Sequence, residues 1–215
     1  MKKLSKKDST ILLVIVTVAV LWGLKYYVES HRLGPYKGLL SRAKGDPKAS
    51  IQIIEYIDLQ CPACAKGATY LKSCFEKYPD RFYLEMKFYP LGMHRHAFQS
   101  ARYTYCASKQ GKFWPFHDLV IERQKNWEDL FNADPAFRQI AQEISLDLTK
   151  LDACLQDEHT NQTILDEKEK GTRAGVKSTP TYFINGKMVV GYKELALELG
   201  KLSNAGEGHE LVCSE

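Results

Sequence analysis

The 215-residue chain has no internal repeat and no low-complexity tract, which excludes a repeat architecture. Nor does its body carry an excess of either charge. Of 30 Lys and Arg and 26 Asp and Glu, five basic residues (Lys2, Lys3, Lys6, Lys7, Lys25) and one acidic residue (Asp8) lie within residues 1–28. The remainder therefore holds 25 of each sign. That balance excludes the basic footprint of a nucleic-acid-binding protein. A long apolar run occurs once, at Ile11–Leu24, and no lipobox cysteine or convincing small-x-small cleavage site follows it. The hydrophobic fraction, 44%, is ordinary for a globular domain.

The apolar run stands behind four lysines, as in a membrane-targeting segment. It is shorter than the ~20 residues of a spanning helix. However, Lys25 can snorkel, and Tyr26, Tyr27 and Val28 extend the apolar face. Trp22, Tyr26 and Tyr27 suit an interfacial belt. Residues 1–28 are read as a signal anchor in preference to a cleaved signal peptide. Either way the positive-inside rule places the body on the extracytoplasmic side of a membrane.

Residues 29–49, broken by Gly34, Pro35, Gly38, Gly45 and Pro47, read as a linker with a possible short helix at Tyr36–Ala43. Strands are expected at Ile51–Asp58 and Arg81–Tyr89, with a helix from Pro62 to about Tyr78 between them. Residues 94–174 carry only helical patterns, at His96–Ser108, Phe116–Gln124, Asp134–Ile144 and Leu148–Gly171. The turn Asn185-Gly186 between Thr181–Ile184 and Lys187–Val190 signals a hairpin. A helix over Lys193–Leu202 and a tail from 204 to 215 complete the chain. The order predicts an α/β core (50–93 and 175–203) interrupted by a helical insertion over 94–174.

Chemistry concentrates at Cys61-Pro62-Ala63-Cys64, a Cys-x-x-Cys where strand gives way to helix. A helix N-terminus offers free N–H groups and partial positive charge, both of which favour a thiolate. Cys61 is then the nucleophile and Cys64 the residue that resolves a mixed disulfide. Pro62 suits the first turn, where its missing N–H is not needed. The other four cysteines, Cys74, Cys106, Cys154 and Cys213, allow three pairings, of which Cys106–Cys154 with Cys74–Cys213 is one. Buried free thiols are the alternative. Thr179-Pro180 opens the returning hairpin, where a cis peptide would present the Thr179 backbone to an extended substrate strand.

Several stretches recur in one order: Gly45-Asp46-Pro47-Lys48-Ala49, Ile54 to Cys64, Phe88-Tyr89-Pro90-Leu91, Gln110 to Trp114 with His117-Asp118, and Gly175 to Gly186. Over roughly residues 45–202 the chain thus resembles the DsbA-like thiol–disulfide oxidoreductases. The resemblance implies a thioredoxin-like fold with an inserted helical subdomain and a cis-Pro180. It makes Cys61 the exposed nucleophile and Cys64 its buried partner. Glu55 falls where this family carries a buried acid, and a carboxylate there would shuttle a proton to or from Cys64. Ala63 departs from the family's strongly oxidising members, which carry His at that position. It gives Cys61 neither charge nor hydrogen bond, so Cys61 should be acidified, but less than in those enzymes.

The expected function is disulfide exchange with exported proteins that contain cysteines, most simply disulfide formation. Implied partners are those substrates, a membrane quinone-linked protein that re-oxidises the pair, and the membrane itself. The two sulfurs carry the electrons, so no organic cofactor or metal is expected, and the protein is expected to act as a monomer. The alternatives are a reductase or isomerase fed by a membrane electron donor, and a non-catalytic metal-binding or chaperone-like module. His94 and His96 could contribute to a zinc site, but without a second tight ligand pair they read as a solvated helix start. His117 and Asp118, after Phe113, Trp114 and Phe116, read as packing between insertion and core.

Overall fold

Four isoleucines in seven residues make Ile51–Ile57 a strand, β2, since β-branched side chains pack well on a pleated surface. It lies at the centre of a five-stranded sheet. The computed structural model describes residues 42–204 and Cys213. The anchor or signal over 1–28, and the linker up to residue 41, lie outside the described residues. Among the described residues, no helix is long and apolar enough to cross a membrane.

The other strands are β1 (Ala43–Gly45), β3 (Phe82–Phe88), β4 (Thr181–Ile184) and β5 (Lys187–Val190). Their order is β1-β3-β2-β4-β5. Strands β2 and β3 are parallel, which requires a crossover, and α1 (Pro62–Lys77) supplies it. Strand β4 returns antiparallel to β2, so Glu55 faces Tyr182 and Tyr56 faces Thr181. The β4–β5 turn places Asn185 at φ 48° and Gly186 at φ 83°, the left-handed pair that a two-residue hairpin demands.

Between β3 and β4 lie six helices: α2 (Ala97–Lys109), α3 (Phe113–Glu122), α4 (Gln124–Trp127), α5 (Asp134–Glu143), α6 (Leu148–Gln156) and α7 (Glu158–Arg173). A last helix, α8 (Tyr192–Asn204), packs on α1. The protein is thus a thioredoxin-like α/β fold with a helical insertion.

Beyond the short helix α4, which the sequence reading did not contain, three elements differ from it. Strand β1 lies in the segment read as linker; three residues ending in glycine carry no pattern, and pairing with β3 makes them a strand. Helix α3 begins at Phe113, ahead of Pro115, because a proline in the first turn removes an N–H that has no helical partner. The stretch Leu148–Gly171, read as one helix, breaks at Asp157. That residue is extended (ψ 120°), and its carboxylate accepts the His159 N–H at 2.9 Å as the cap of α7.

Aromatic side chains join insertion to sheet. Tyr103, Phe113, Phe116, Trp127 and Phe137 are all buried, and Phe113 meets Phe88 of β3 with ring centroids 6.3 Å apart. Each such side chain contributes about 1.5–3 kcal/mol by burial. The Arg42–Glu167 ion pair ties α7 to the start of β1, and Glu167 also accepts the Phe88 N–H at 2.8 Å. Disulfides link Cys106 to Cys154 and Cys74 to Cys213, one of the three pairings the sequence allowed.

Candidate active site

Cys61 is the N-cap of α1, with extended backbone (φ −75°, ψ 121°) and no side-chain cap. The loop before it is held from several directions. The Asp58 carboxylate accepts the N–H groups of Gln60 and Leu91, each at 2.8 Å, and lies 2.8 Å from His94 Nδ1. The Asp58 carbonyl accepts the Cys61 N–H at 3.0 Å. From α4, the Gln124 amide donates to the carbonyls of Leu59 (2.9 Å) and Cys61 (3.2 Å). These partners lie far apart in sequence, and Gln124 carried no local signal to mark it.

Both Cys61 and Cys64 are free thiols in this structure, and Cys61, expected to be exposed, is itself buried at 7% exposure because the Thr179 segment lies against its sulfur. The Cys61 S–H points to the Thr179 carbonyl at 3.4 Å, beside the cis Thr179–Pro180 peptide. Cys61 is pulled down from 9.0 to about 5. The hydrogen bond from the Cys64 thiol is the largest cause; burial opposes it, and the Thr179 side chain and the amides of Cys64 and Ala63 add to it. The Thr179 hydroxyl is buried and has no other hydrogen-bond partner, so it remains free to donate to the sulfur. Cys64 is fully buried and moves the other way, well above 9.0, through burial first, then its bond to Cys61 and the charges of Cys61 and Glu55. One sulfur is thus set to be a thiolate and its neighbour to hold a proton.

Glu55 is fully buried, on the same face of β2 as Ile53 and Ile57, which pack in the core that also holds both sulfurs. Burial raises its carboxyl from 4.5 to about 8, and the Tyr182 hydroxyl opposite eases the shift. Neither carboxylate oxygen, nor the Tyr182 hydroxyl, has a hydrogen-bond partner of ordinary geometry. Tyr182 approaches so closely because Gly67 of α1 leaves room: a Cβ at Gly67 would collide with its hydroxyl. The role of Tyr182 and Gly67 depends on strand register and helix docking, neither of which a local pattern records.

The remaining candidates sit elsewhere. His94 is engaged by Asp58, and His96 Nε2 lies 2.6 Å from the Leu130 carbonyl, so neither imidazole is directed to the sulfurs. A groove of about 400 Å³ beside Pro62 runs between His94 and Glu128, with Met93, Leu130 and Phe131 exposed along this side of the molecule.

A model of the family described as thioredoxin matches residues 40–198. Among curated proteins, the chain is 27% identical over 144 residues to the Na(+)/H(+) antiporter NhaA 3 of Salinispora tropica, and 26% identical over 151 residues to NhaA 1 of a Mycobacterium species. These alignments cover 67% of this chain but 21% and 23% of those proteins. The chain therefore spans about a fifth of the length of the curated relatives it matches. Among solved structures, α-DsbA1 of Wolbachia pipientis superposes with a TM-score of 0.66 at 24% identity, covering 76% of this chain and 89% of that one. BdbD of Bacillus subtilis gives 0.64 at 18% identity, covering 77% and 93%. A thioredoxin-like oxidoreductase from Silicibacter pomeroyi gives 0.63 at 20%, covering 76% and 90%. These three share the fold.

Proposed function

The chain belongs to the thioredoxin family, and from that premise we propose that it is a DsbA-like thiol–disulfide oxidoreductase that forms disulfides in exported proteins. The observation that carries this reading is the opposed protonation of two adjacent sulfurs: Cys61 lowered to about 5 at a helix start, Cys64 buried and raised. A stabilised Cys61 thiolate lowers the free energy of the reduced enzyme, which makes the disulfide form a better oxidant.

In the oxidised enzyme a substrate thiolate attacks Cys61 Sγ, breaking the Cys61–Cys64 bond and leaving its electron pair on Cys64, which takes up a proton. A second substrate thiolate then attacks the substrate sulfur of the mixed disulfide and releases Cys61 as thiolate. Substrate is oxidised by two electrons and the enzyme reduced by two. A membrane quinone-linked protein restores the disulfide. The Cys74–Cys213 and Cys106–Cys154 bonds support an oxidising, extracytoplasmic setting. The electrons stay on sulfur throughout, so the reading calls for no cofactor.

One observation favours the reverse direction. The Ala63 side chain gives Cys61 no donor, only its backbone amide does, and a value of about 5 stops short of the ~3.5 reached in DsbA. Equilibrating the Cys61–Cys64 couple with glutathione decides between the directions. A potential toward roughly −120 mV supports disulfide formation, and one near roughly −270 mV supports a reductase. Insulin reduction should be lost in Cys61→Ala; activity that survives this change contradicts both directions.

A further inference from the structure

We propose that His117, oriented by Asp118, is the solvent end of a proton relay that serves Cys64 through Glu55 and one water in the cavity between them. The inference rests on the disulfide-exchange reading and adds to it a positioning and proton-carrying role for two residues of the inserted helices.

Glu55 cannot exchange a proton with bulk water directly, because it is fully buried. It does line a cavity of about 20 Å³, walled by α1, α3 and strands β1, β2 and β3. That volume suits one water, which needs about 10–15 Å³ and at least two polar partners. Much of the wall is apolar: Ala68, Leu71, Phe75, Leu84, Met86 and Trp114. The ionisable groups in it are Glu55, Lys44, Lys72, His117 and Asp118. Tyr182 stands opposite Glu55 across the β2–β4 pair, and the charge of Glu55 acts on Cys64.

Of these, His117 alone is both buried and equipped to accept. Its side chain is 4% exposed, and Nδ1 lies 2.8 Å from an Asp118 oxygen. A carboxylate only accepts, so it fixes the hydrogen on Nδ1 and leaves Nε2 with a free lone pair. Nε2 is buried and has no hydrogen-bond partner, like both oxygens of Glu55. Protonated Lys44 and Lys72 carry donors only and cannot take a proton from a protonated Glu55. The ring is held by Phe113, stacked at 5.8 Å, and Trp114, edge-on at 5.4 Å. Asp118 lies at the mouth of the relay, with its side chain 41% exposed.

The step balances as follows. Cys64 must lose its proton before it can attack a mixed disulfide at Cys61. As the Cys64–Cys61 bond forms, the Cys61–partner bond breaks and its electron pair leaves on the partner sulfur. Glu55, raised to about 8 and so protonated near neutral pH, first gives its proton through the water to His117 Nε2, and the carboxylate so formed takes the Cys64 proton. His117 hands its Nδ1 proton to Asp118 and so to solvent. One proton leaves on re-oxidation and one enters when substrate is oxidised, so the imidazole regains its first tautomer over a full cycle.

The test is stopped-flow oxidation of the reduced protein by excess oxidised glutathione. The first phase is Cys61 attack on glutathione disulfide, and the second is Cys64 attack that expels glutathione. In His117→Phe, which keeps an aromatic ring, the second phase should slow about tenfold near neutral pH, less than the hundredfold or more of a group acting directly. The first phase should be unchanged, and added imidazole should restore the second. Asp118→Asn, a change at a partly exposed residue, should shift the pH profile of the second phase in the same direction. A second phase at the wild-type rate in both variants overturns the relay. So does slowing of both phases alike, or slowing that is independent of pH and unrescued by imidazole. Absence of the first phase in the unmodified protein overturns the exchange reading itself, so the two failures are told apart.

Discussion

The Cys61 sulfur stands 3.4 Å from the carbonyl oxygen of Thr179, 118 residues further along the chain. A carbonyl accepts a hydrogen bond and cannot donate one, so this contact favours the neutral thiol. The acidity of Cys61 is therefore set against it, by Cys64, the Thr179 side chain and the first amides of α1. Ionisation frees the Thr179 carbonyl, which an incoming extended peptide could then use as an edge acceptor.

Removing the resolving sulfur should arrest exchange halfway. Cys64→Ser incubated with oxidised glutathione should retain one glutathione on Cys61, detected by intact mass. Cys61→Ser should retain none, because Cys64 is buried and keeps its proton. Equal labelling of both variants would contradict the assigned order of attack.

Glu55 should weaken the fold as pH rises. Its carboxyl is raised in the folded protein from 4.5 to about 8, so the folded state holds the proton longer than the unfolded chain. The penalty is absent below pH 4.5, grows through the interval and is complete above about 8. At pH 7 it amounts to about 3 kcal/mol. Glu55→Gln should therefore be more stable than the unmodified protein at pH 7 by up to that amount, and no more stable at pH 4. Urea unfolding at the two pH values checks the difference; an equal change at both contradicts it.

Gly67→Ala sets two effects against each other. Alanine improves an α-helix by about 1 kcal/mol. Here its Cβ would strike the Tyr182 hydroxyl, and overpacking costs about 1–3 kcal/mol. A net loss of stability is expected. In a Tyr182→Phe background the obstacle is gone, and the same substitution should become neutral or stabilising. Denaturant titration of the four proteins in the cycle measures the coupling, and simple additivity would contradict the contact.

The Cys106–Cys154 bond joins α2 to α6 across 48 residues. Chain entropy gives such a crosslink about 4 kcal/mol. Cys106→Ser with Cys154→Ser should lose stability of that order, while the reactivity of Cys61, at the start of α1, stays unchanged. Thermal unfolding and thiol alkylation report the two separately.

Local signals carried much of this architecture. The isoleucine-rich β2, the Asn185-Gly186 turn and the cysteines around Pro62 each announce themselves within a few residues. What remained hidden depends on distant partners. Strand β1 exists only through β3, and the break at Asp157 pits one capping carboxylate against an unbroken helical pattern. His117 read as packing between insertion and core, yet only one of its ring nitrogens has a partner. Gln124 and Tyr182 acquire their places from the docking of helices and from register, which no spacing of residues encodes.

The central claim is that Cys61 is an acidic thiolate held where α1 begins. Iodoacetamide alkylation of the reduced protein across pH, with the modified residue mapped by mass spectrometry, tests it directly. The account predicts a Cys61 rate that is half-maximal near pH 5, with Cys64 unreactive throughout. A Cys61 rate that reaches half its maximum only near pH 9, as for an unperturbed thiol, would contradict it.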